Sequence, residues 1–284
     1  MSYQLLDFGN ARRLERFGPW VLDRPCPAAE NLTPADPQAW QQATAVYDGT
    51  RATAGKWSPA PNKWEQQTCT IQLDSQLDTT FELTPLPSGQ IGIFPEQLEN
   101  WHWIAKQIKS NNRPLKVLNL FAYTGGSTLA AARAGAEVTH VDAAKSMVAR
   151  ARTNAAASDL ADHPIRWIVE DALKFCRREV KRSNHYDAVI LDPPSYGHGP
   201  KGEAWSIRRD LLPLLELCGE LTATSRAFIL CTCHTPEIGP AELSAYLSDG
   251  IFGHCGQPPK TGTLCLTTAA NKKLPSGTYA RWPK

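Results

Sequence analysis

The chain reads as an α/β protein: a parallel sheet with helices on both faces, closed by a C-terminal antiparallel hairpin and preceded by a small β-rich N-terminal part. Three observations predict this. From residue 116 onward, apolar runs of strand length alternate with segments of helix length. A Gly-Gly turn separates the first such run from an Ala-rich segment, as a strand-turn-helix unit requires. Before residue 95 the chain instead carries many prolines and tryptophans and short strand-like stretches.

In chain order, 1–63 is expected to be an irregular arm, with strands at 68–73 and 79–83 and turns around Pro87-Ser88-Gly89. Residues 1–94 then form an accessory part that docks or braces, and 95–284 the main domain. Pro95 suits the first turn of a helix running through Trp101 to Ile108. Strands are expected at 116–121, 138–142, 166–169, 186–191 and 226–232, with helices at 126–135, 143–157, 171–182 and 203–223. A helix near 240–249 and strands at 262–268 and 277–282, linked by 271–276, complete the sheet with an antiparallel strand. No internal repeat or low-complexity segment interrupts this order.

Length and charge set outer bounds. A chain of 284 residues buries enough apolar surface to fold without staples. Its eight cysteines include no C-x-x-C pair, so neither a zinc site nor a disulfide framework is expected, and no metal. No charged and apolar leader and no run of about 18 apolar residues is present, which points to a cytoplasmic protein. A net charge of +2 is too small to argue nucleic-acid binding from composition alone. Local basic groups are the better guide.

The segment 116–142 outlines a pocket for a nucleotide-type cofactor. Val117-Leu118-Asn119-Leu120-Phe121 is a short two-sided apolar run, and Gly125-Gly126 lets the backbone approach a ligand. Asp142, ending the next strand, is placed to accept from ribose hydroxyls, the competing reading being an N-cap for the helix after it. Neither G-x-G-x-x-G nor G-x-x-x-x-G-K-[ST] occurs, so the phosphates of a dinucleotide or triphosphate would find no glycine cradle. S-adenosyl-L-methionine has no phosphate and fits. Asp171 follows a strand-like run, where it accepts from an adenine amino group or caps the next helix, and Asp192-Pro193-Pro194 closes the apolar run 188–191.

Asn119 to Gly126, the acids Asp142 and Asp171, and D-P-P-S-Y-G at Asp192 to Gly197 together resemble class I S-adenosylmethionine-dependent methyltransferases, specifically the ribosomal RNA large-subunit group that includes cytosine-C5 enzymes. The resemblance covers roughly residues 90 to 284 and implies a Rossmann-like class I methyltransferase sheet. Gly92 to Gln97 is similar to the segment preceding the cofactor domain in that group, without its usual arginine. The resemblance implies cofactor contacts from Asn119, Phe121, Tyr123, Thr124, Gly125, Asp142, Asp171, Ala172 and Asp192. Substrate contacts are implied for Pro193, Pro194, Ser195 and Tyr196, and an RNA, ribosomal in this group, as the partner; Lys201 and Arg208 are expected to join them because they follow the Asp-Pro-Pro turn as a local basic group.

The same resemblance places the chemistry between Asp192 and Cys231-Thr232-Cys233-His234. Cytosine C5 is a poor nucleophile unless a thiolate first adds to C6, and Cys233 aligns with the cysteine that does so in the cytosine-C5 members. Cytosine C5 is therefore the expected acceptor if Cys233 is reactive. A buried structural thiol is the competing reading, and Cys231 is expected on the other strand face, in the core. The alternative acceptor is guanine or an exocyclic amine, held by Asp192 while Tyr196 stacks on the ring, with no thiol needed. A non-catalytic cofactor-binding protein and an NAD-dependent oxidoreductase are the other classes carried. The Gly-rich stretch 197–202, carrying Lys201 and followed by Arg208 and Arg209, is expected to be mobile enough to close over a base. Arg177, Arg178, Lys181 and Arg182 form a second basic group, read equally as phosphate contacts or a solvated helix face.

Overall fold

The computed structural model describes residues 3–49, 54–253, 256 and 258–283. Met1, where the expected arm begins, and Cys255, one of the eight cysteines, lie outside the described residues. The chain divides into two compact units, Met1–Leu98 with Cys265–Ser276, and Glu99–Leu264 with Gly277–Lys284.

In the first unit, β1 (Tyr3–Gly9), β2 (Arg12–Phe17), β3 (Trp20–Pro25), β4 (Ala45–Tyr47) and β5 (Trp57–Ser58) hydrogen-bond in that order as a five-stranded sheet. This corrects the expectation of an irregular arm. The charged residues of β2 hid the strand pattern: Glu15 is fully buried, pairs with Arg24 and Arg13, and accepts from the Tyr3 hydroxyl at 3.1 Å. Charges buried in satisfied pairs look like surface to a hydropathy reading. A separate antiparallel pair, β6 (Cys69–Gln72) and β7 (Thr80–Leu83), follows.

The second unit opens within α1 (Leu98–Lys109) and then alternates β8 (Lys116–Leu120), α2 (Gly126–Arg133), β9 (Glu137–Asp142), α3 (Lys145–Ala157), β10 (Ile165–Val169), α4 (Ala172–Lys181) and β11 (Ala188–Leu191). A short hairpin of β12 (Tyr196–His198) and β13 (Ala204–Ser206) precedes α5 (Ile207–Leu221), β14 (Phe228–Cys233), α6 (Pro240–Leu247), β15 (Lys260–Thr267) and β16 (Lys273–Trp282). The seven-stranded sheet runs β10-β9-β8-β11-β14-β16-β15. Its first five strands are parallel, and β16 enters antiparallel to β14 with Cys233 opposite Thr278.

Strand parity divides the sheet faces. Leu118, Leu120, Val189, Leu191, Ile229 and Cys231 point into one apolar cluster with Phe175 of α4, Leu211 and Leu215 of α5 and Leu243 of α6. On the other face Asn119 meets Thr128 of α2, and Phe228 meets Trp103 of α1 with ring centroids 5.5 Å apart. The helices bury stripes at i, i+3 and i+4 spacing, such as Ala172, Phe175, Cys176 and Glu179 in α4. The turn between β8 and α2 needs its glycine. Gly125 has φ +93, and a Cβ there would lie 3.1 Å from Cβ of Ala151.

Candidate functional site

Because β10, β9, β8, β11 and β14 run parallel, their C-terminal ends open on a single rim. Asp142, Asp171, Asp192 and the turn 121–125 all leave the sheet there. Their register is close: Leu120 pairs with Val141 and Leu191, Val169 with Asp142, and Leu191 with Cys231.

The turn after β8 is held in an uncommon backbone conformation. Phe121 and Tyr123 both take left-handed φ, +55 and +50, although neither is glycine. What holds them is Asp142, whose Oδ2 accepts from the Tyr123 amide at 2.8 Å while Oδ1 accepts from the Ala144 amide at 2.8 Å. Helix α3 starts only at Lys145, with Ala144 as its cap residue, so Asp142 closes a local turn instead of capping the helix. Burial raises the Asp142 pKa, against which the two backbone amides work. Thr124 is buried, and its carbonyl accepts from Asn154 Nδ2 at 2.9 Å. The Phe121 ring lies against Trp205 of β13, 4.8 Å between centroids.

The remaining residues of this half divide into those facing the rim and those turned inward. Asp171 caps α4, its Oδ1 accepting from the Lys174 amide at 2.9 Å, and Ala172 behind it is buried. Asn119 is turned into the fold, donating from Nδ2 to the Thr128 hydroxyl at 2.8 Å. Thr128 meets Nδ1 of the buried His140 at 2.9 Å.

At the other half of the rim, Thr232 donates to Oδ1 of Asp192 at 2.6 Å, and His234 Nε2 lies 3.5 Å from the same oxygen. The side chains of Asp192 and His234 retain 30% and 32% of their exposure, so a ligand can reach both. Cys231 and Cys233, two residues apart, share one strand face and both enter the apolar cluster, with Thr232 turned the other way. This corrects the expected placement of Cys231 on the face opposite Cys233. Cys233 is only 1% exposed, and burial pushes its thiol above the ordinary range, partly offset by the Thr235 amide, which donates to Sγ at 3.5 Å. Cys231 is pushed up further by the same cause.

The turn 192–195 is locked to its surroundings. The Ser195 and Thr235 hydroxyls are 2.7 Å apart, Trp205 Nε1 donates to the Pro194 carbonyl at 2.7 Å, and the Ile207 amide donates to the Ser195 carbonyl at 3.0 Å. Pro193 and Pro194 keep the link between Asp192 and this lock stiff. The stretch expected to be a mobile loop is the β12–β13 hairpin, whose glycines make its turn: the Gly199 amide donates to the Glu203 carbonyl and the Gly202 amide to the Gly199 carbonyl. Tyr196 stands on that hairpin with 76% of its surface exposed. Lys201 is at the exposed tip, and Arg208 projects from α5, 3.9 Å from Glu237. In the second basic group, Arg178 pairs with Glu170 at 2.5 Å and Arg182 with Glu179 at 3.7 Å.

A family model for S-adenosylmethionine-dependent methyltransferases matches residues 81–248, more than half of the chain. The chain belongs to that family. The crystal structure of an S-adenosylmethionine-dependent methyltransferase from Agrobacterium tumefaciens is similar over 99% of this chain and 90% of that one, at 33% identity and a TM-score of 0.90. A Methanocaldococcus jannaschii protein provisionally named a ribosomal RNA large subunit methyltransferase is 31% identical over 161 residues, 57% of this chain and 40% of that protein. Ribosomal RNA large subunit methyltransferase K/L of a Shewanella species is 36% identical over 110 residues, 38% of this chain and 15% of that protein. The chain thus spans less than half the length of either named relative.

As a methyltransferase the protein is an enzyme that uses S-adenosylmethionine, and the donor set at the rim fits that molecule. Two carboxylates can accept from hydroxyls and an amine, and the turn 121–126 carries no Lys or Arg for phosphate. Three features of the rim were not legible in the sequence. Asn154 braces the turn after β8 from mid-helix, where nothing marks it. The Ser195–Thr235 lock joins residues 40 apart. Thr232 was visible in principle, because strand alternation puts it opposite both cysteines.

Proposed function

We propose that the protein methylates a nitrogen of an RNA base, in ribosomal RNA, by direct transfer and in the cytoplasm. The observation that carries the choice of acceptor is the state of Cys233: 1% exposed, raised in pKa and packed on the core face of β14. Addition to C6 of cytosine requires a thiolate in the pocket, and burial works against one. A base nitrogen has its own lone pair and needs no such help. The named relatives support ribosomal RNA as the substrate, and the exposed Tyr196, Lys201 and Arg208 suit a stacked base with its flanking phosphates.

When bound, S-adenosylmethionine supplies a methyl on a sulfonium whose sulfur keeps the bonding pair as the methyl leaves. The chain's part is placement. Asp142 and Asp171 take the ribose and adenine ends, the Asp192 carboxylate accepts from the N–H of the acceptor, and Tyr196 stacks on its ring.

Cytosine C5 is the second reading, favoured by the position of Cys233 at the end of β14, next to Thr232, whose hydroxyl bonds Asp192. Two measurements separate them. Nucleoside mass spectrometry of ribosomal RNA from cells with and without the protein should show loss of an N-methylated base. Cys233→Ala should keep turnover on that RNA within about threefold, since only the C5 route needs the adduct. Abolished turnover with S-adenosylmethionine affinity intact would restore cytosine C5.

A further inference from the structure

His234 follows β14 directly and has no role so far. Its Nε2 approaches Oδ1 of Asp192 to 3.5 Å, and the Thr232 hydroxyl donates to that same oxygen at 2.6 Å. Two groups from one strand end thus converge on one carboxylate oxygen. A single hydrogen bond leaves the carboxylate plane loosely defined, because the terminal torsion of aspartate is broad. A second polar group brought up to the same oxygen, here the imidazole at 3.5 Å, narrows it.

The imidazole is itself seated by the neighbouring strand. Gly277 lies within β16 at φ +131, and a Cβ built there would fall 2.7 Å from Nδ1 and 2.8 Å from Cε1 of His234. Glycine weakens a strand interior, and one placed there marks a close approach. Here the approach is to the imidazole. Thr278 ties the same strand end down, its hydroxyl lying 3.3 Å from both the Cys233 and the Ile238 carbonyl.

We propose that His234 is a positioning residue for methyl transfer: seated in the notch left by Gly277, it works with Thr232 to aim the Asp192 carboxylate at the acceptor. This rests on the nitrogen-acceptor reading above. The N–H of the acceptor donates to the aimed carboxylate, which turns the nitrogen lone pair toward the methyl. Misalignment of the carboxylate by about 1 Å costs on the order of 100-fold in rate.

The test uses the full chain, S-adenosylmethionine and ribosomal RNA purified from a strain lacking the protein, and reads the single-turnover rate of nucleoside methylation. His234→Ala should lower that rate by about 100-fold, with calorimetric affinity for S-adenosylmethionine and melting temperature unchanged. His234→Gln, whose amide nitrogen reaches the place of Nε2, should recover most of the loss. Gly277→Ala should reproduce the deficit with the imidazole still present, and should add nothing to His234→Ala. A His234→Ala rate within about threefold of wild type, or a Gly277→Ala deficit undiminished in the His234→Ala background, overturns the proposal. Should Gly277→Ala fail to fold, the His234 pair decides alone. An N-methylated product with His234 variants unimpaired ends this proposal only, whereas 5-methylcytosine as the product ends the nitrogen-acceptor reading with it.

Discussion

Asp142 shows how one side chain can shape a turn and keep acceptor capacity to spare. Its two oxygens each accept a backbone amide, one of them from Tyr123, which sits at φ +50, where a bulky side chain is disfavoured. Each oxygen keeps a further lone pair, and these are what ribose hydroxyls would use. Removing the carboxylate therefore takes away the support of the turn together with the acceptors offered to a ribose. Hydrogen bonds to a charged group are worth about 1.5–3 kcal/mol each, so Asp142→Ala should weaken S-adenosylmethionine binding by roughly 100-fold or more in calorimetry. Asp142→Asn, with one acceptor oxygen in place of two, should fall between. Affinity within threefold of wild type in the alanine variant would leave Asp142 as a turn residue alone. Because burial raises its pKa, affinity should also begin to fall on acidification at a higher pH than for an ordinary aspartate.

At the scale of elements, a buried polar chain joins β8, α2 and β9. Asn119 donates to the Thr128 hydroxyl, which in turn meets Nδ1 of His140 at 2.9 Å. Burial, aided by the charge on Arg152, holds the His140 pKa down to about 3, so the ring is neutral in the folded protein while it titrates near 6.5 unfolded. The folded value lies below the unfolded one. Stability is therefore complete above pH 6.5 and is lost as the pH falls through the window toward 3, by about 2 kcal/mol at pH 5. Denaturant titrations at pH 7 and pH 5 should show that loss, and His140→Asn, which cannot titrate, should show a flatter acid limb despite a lower starting stability. Equal acid limbs would dismiss the assignment. This chain of contacts was illegible in the sequence, where nothing links Asn119 of one strand to His140 of the next. The strands themselves were legible because a parallel strand covered on both faces reads as an apolar run. The first sheet was not, since Glu15 and Arg24 are buried as a pair, and the β12–β13 hairpin was not, since its glycines serve a turn and look like a loop.

The whole second unit is what brings the site together, since its parts come from the ends of β8, β9, β10, β11 and β14, widely spaced in the chain but neighbours in the sheet. This also explains what the sequence could show of the site: the order of turns and acids is local, whereas the Thr232–Asp192 bond and the Ser195–Thr235 lock each join residues 40 apart. A ligand gripping several strand ends at once binds only while the sheet is folded, so its binding energy appears in the global unfolding of that unit. At a free concentration one hundred times its Kd, a ligand confined to the folded state adds about 2.7 kcal/mol. S-adenosylmethionine should accordingly raise the melting temperature by several degrees and make it depend on ligand concentration. NAD at equal concentration should leave it unmoved, because the turn 121–126 has neither a G-x-G-x-x-G cradle nor a basic side chain to take a pyrophosphate. A shift of equal size with NAD would mean that the two carboxylates do not select against phosphate, and that the donor set at the rim is less discriminating than its chemistry implies.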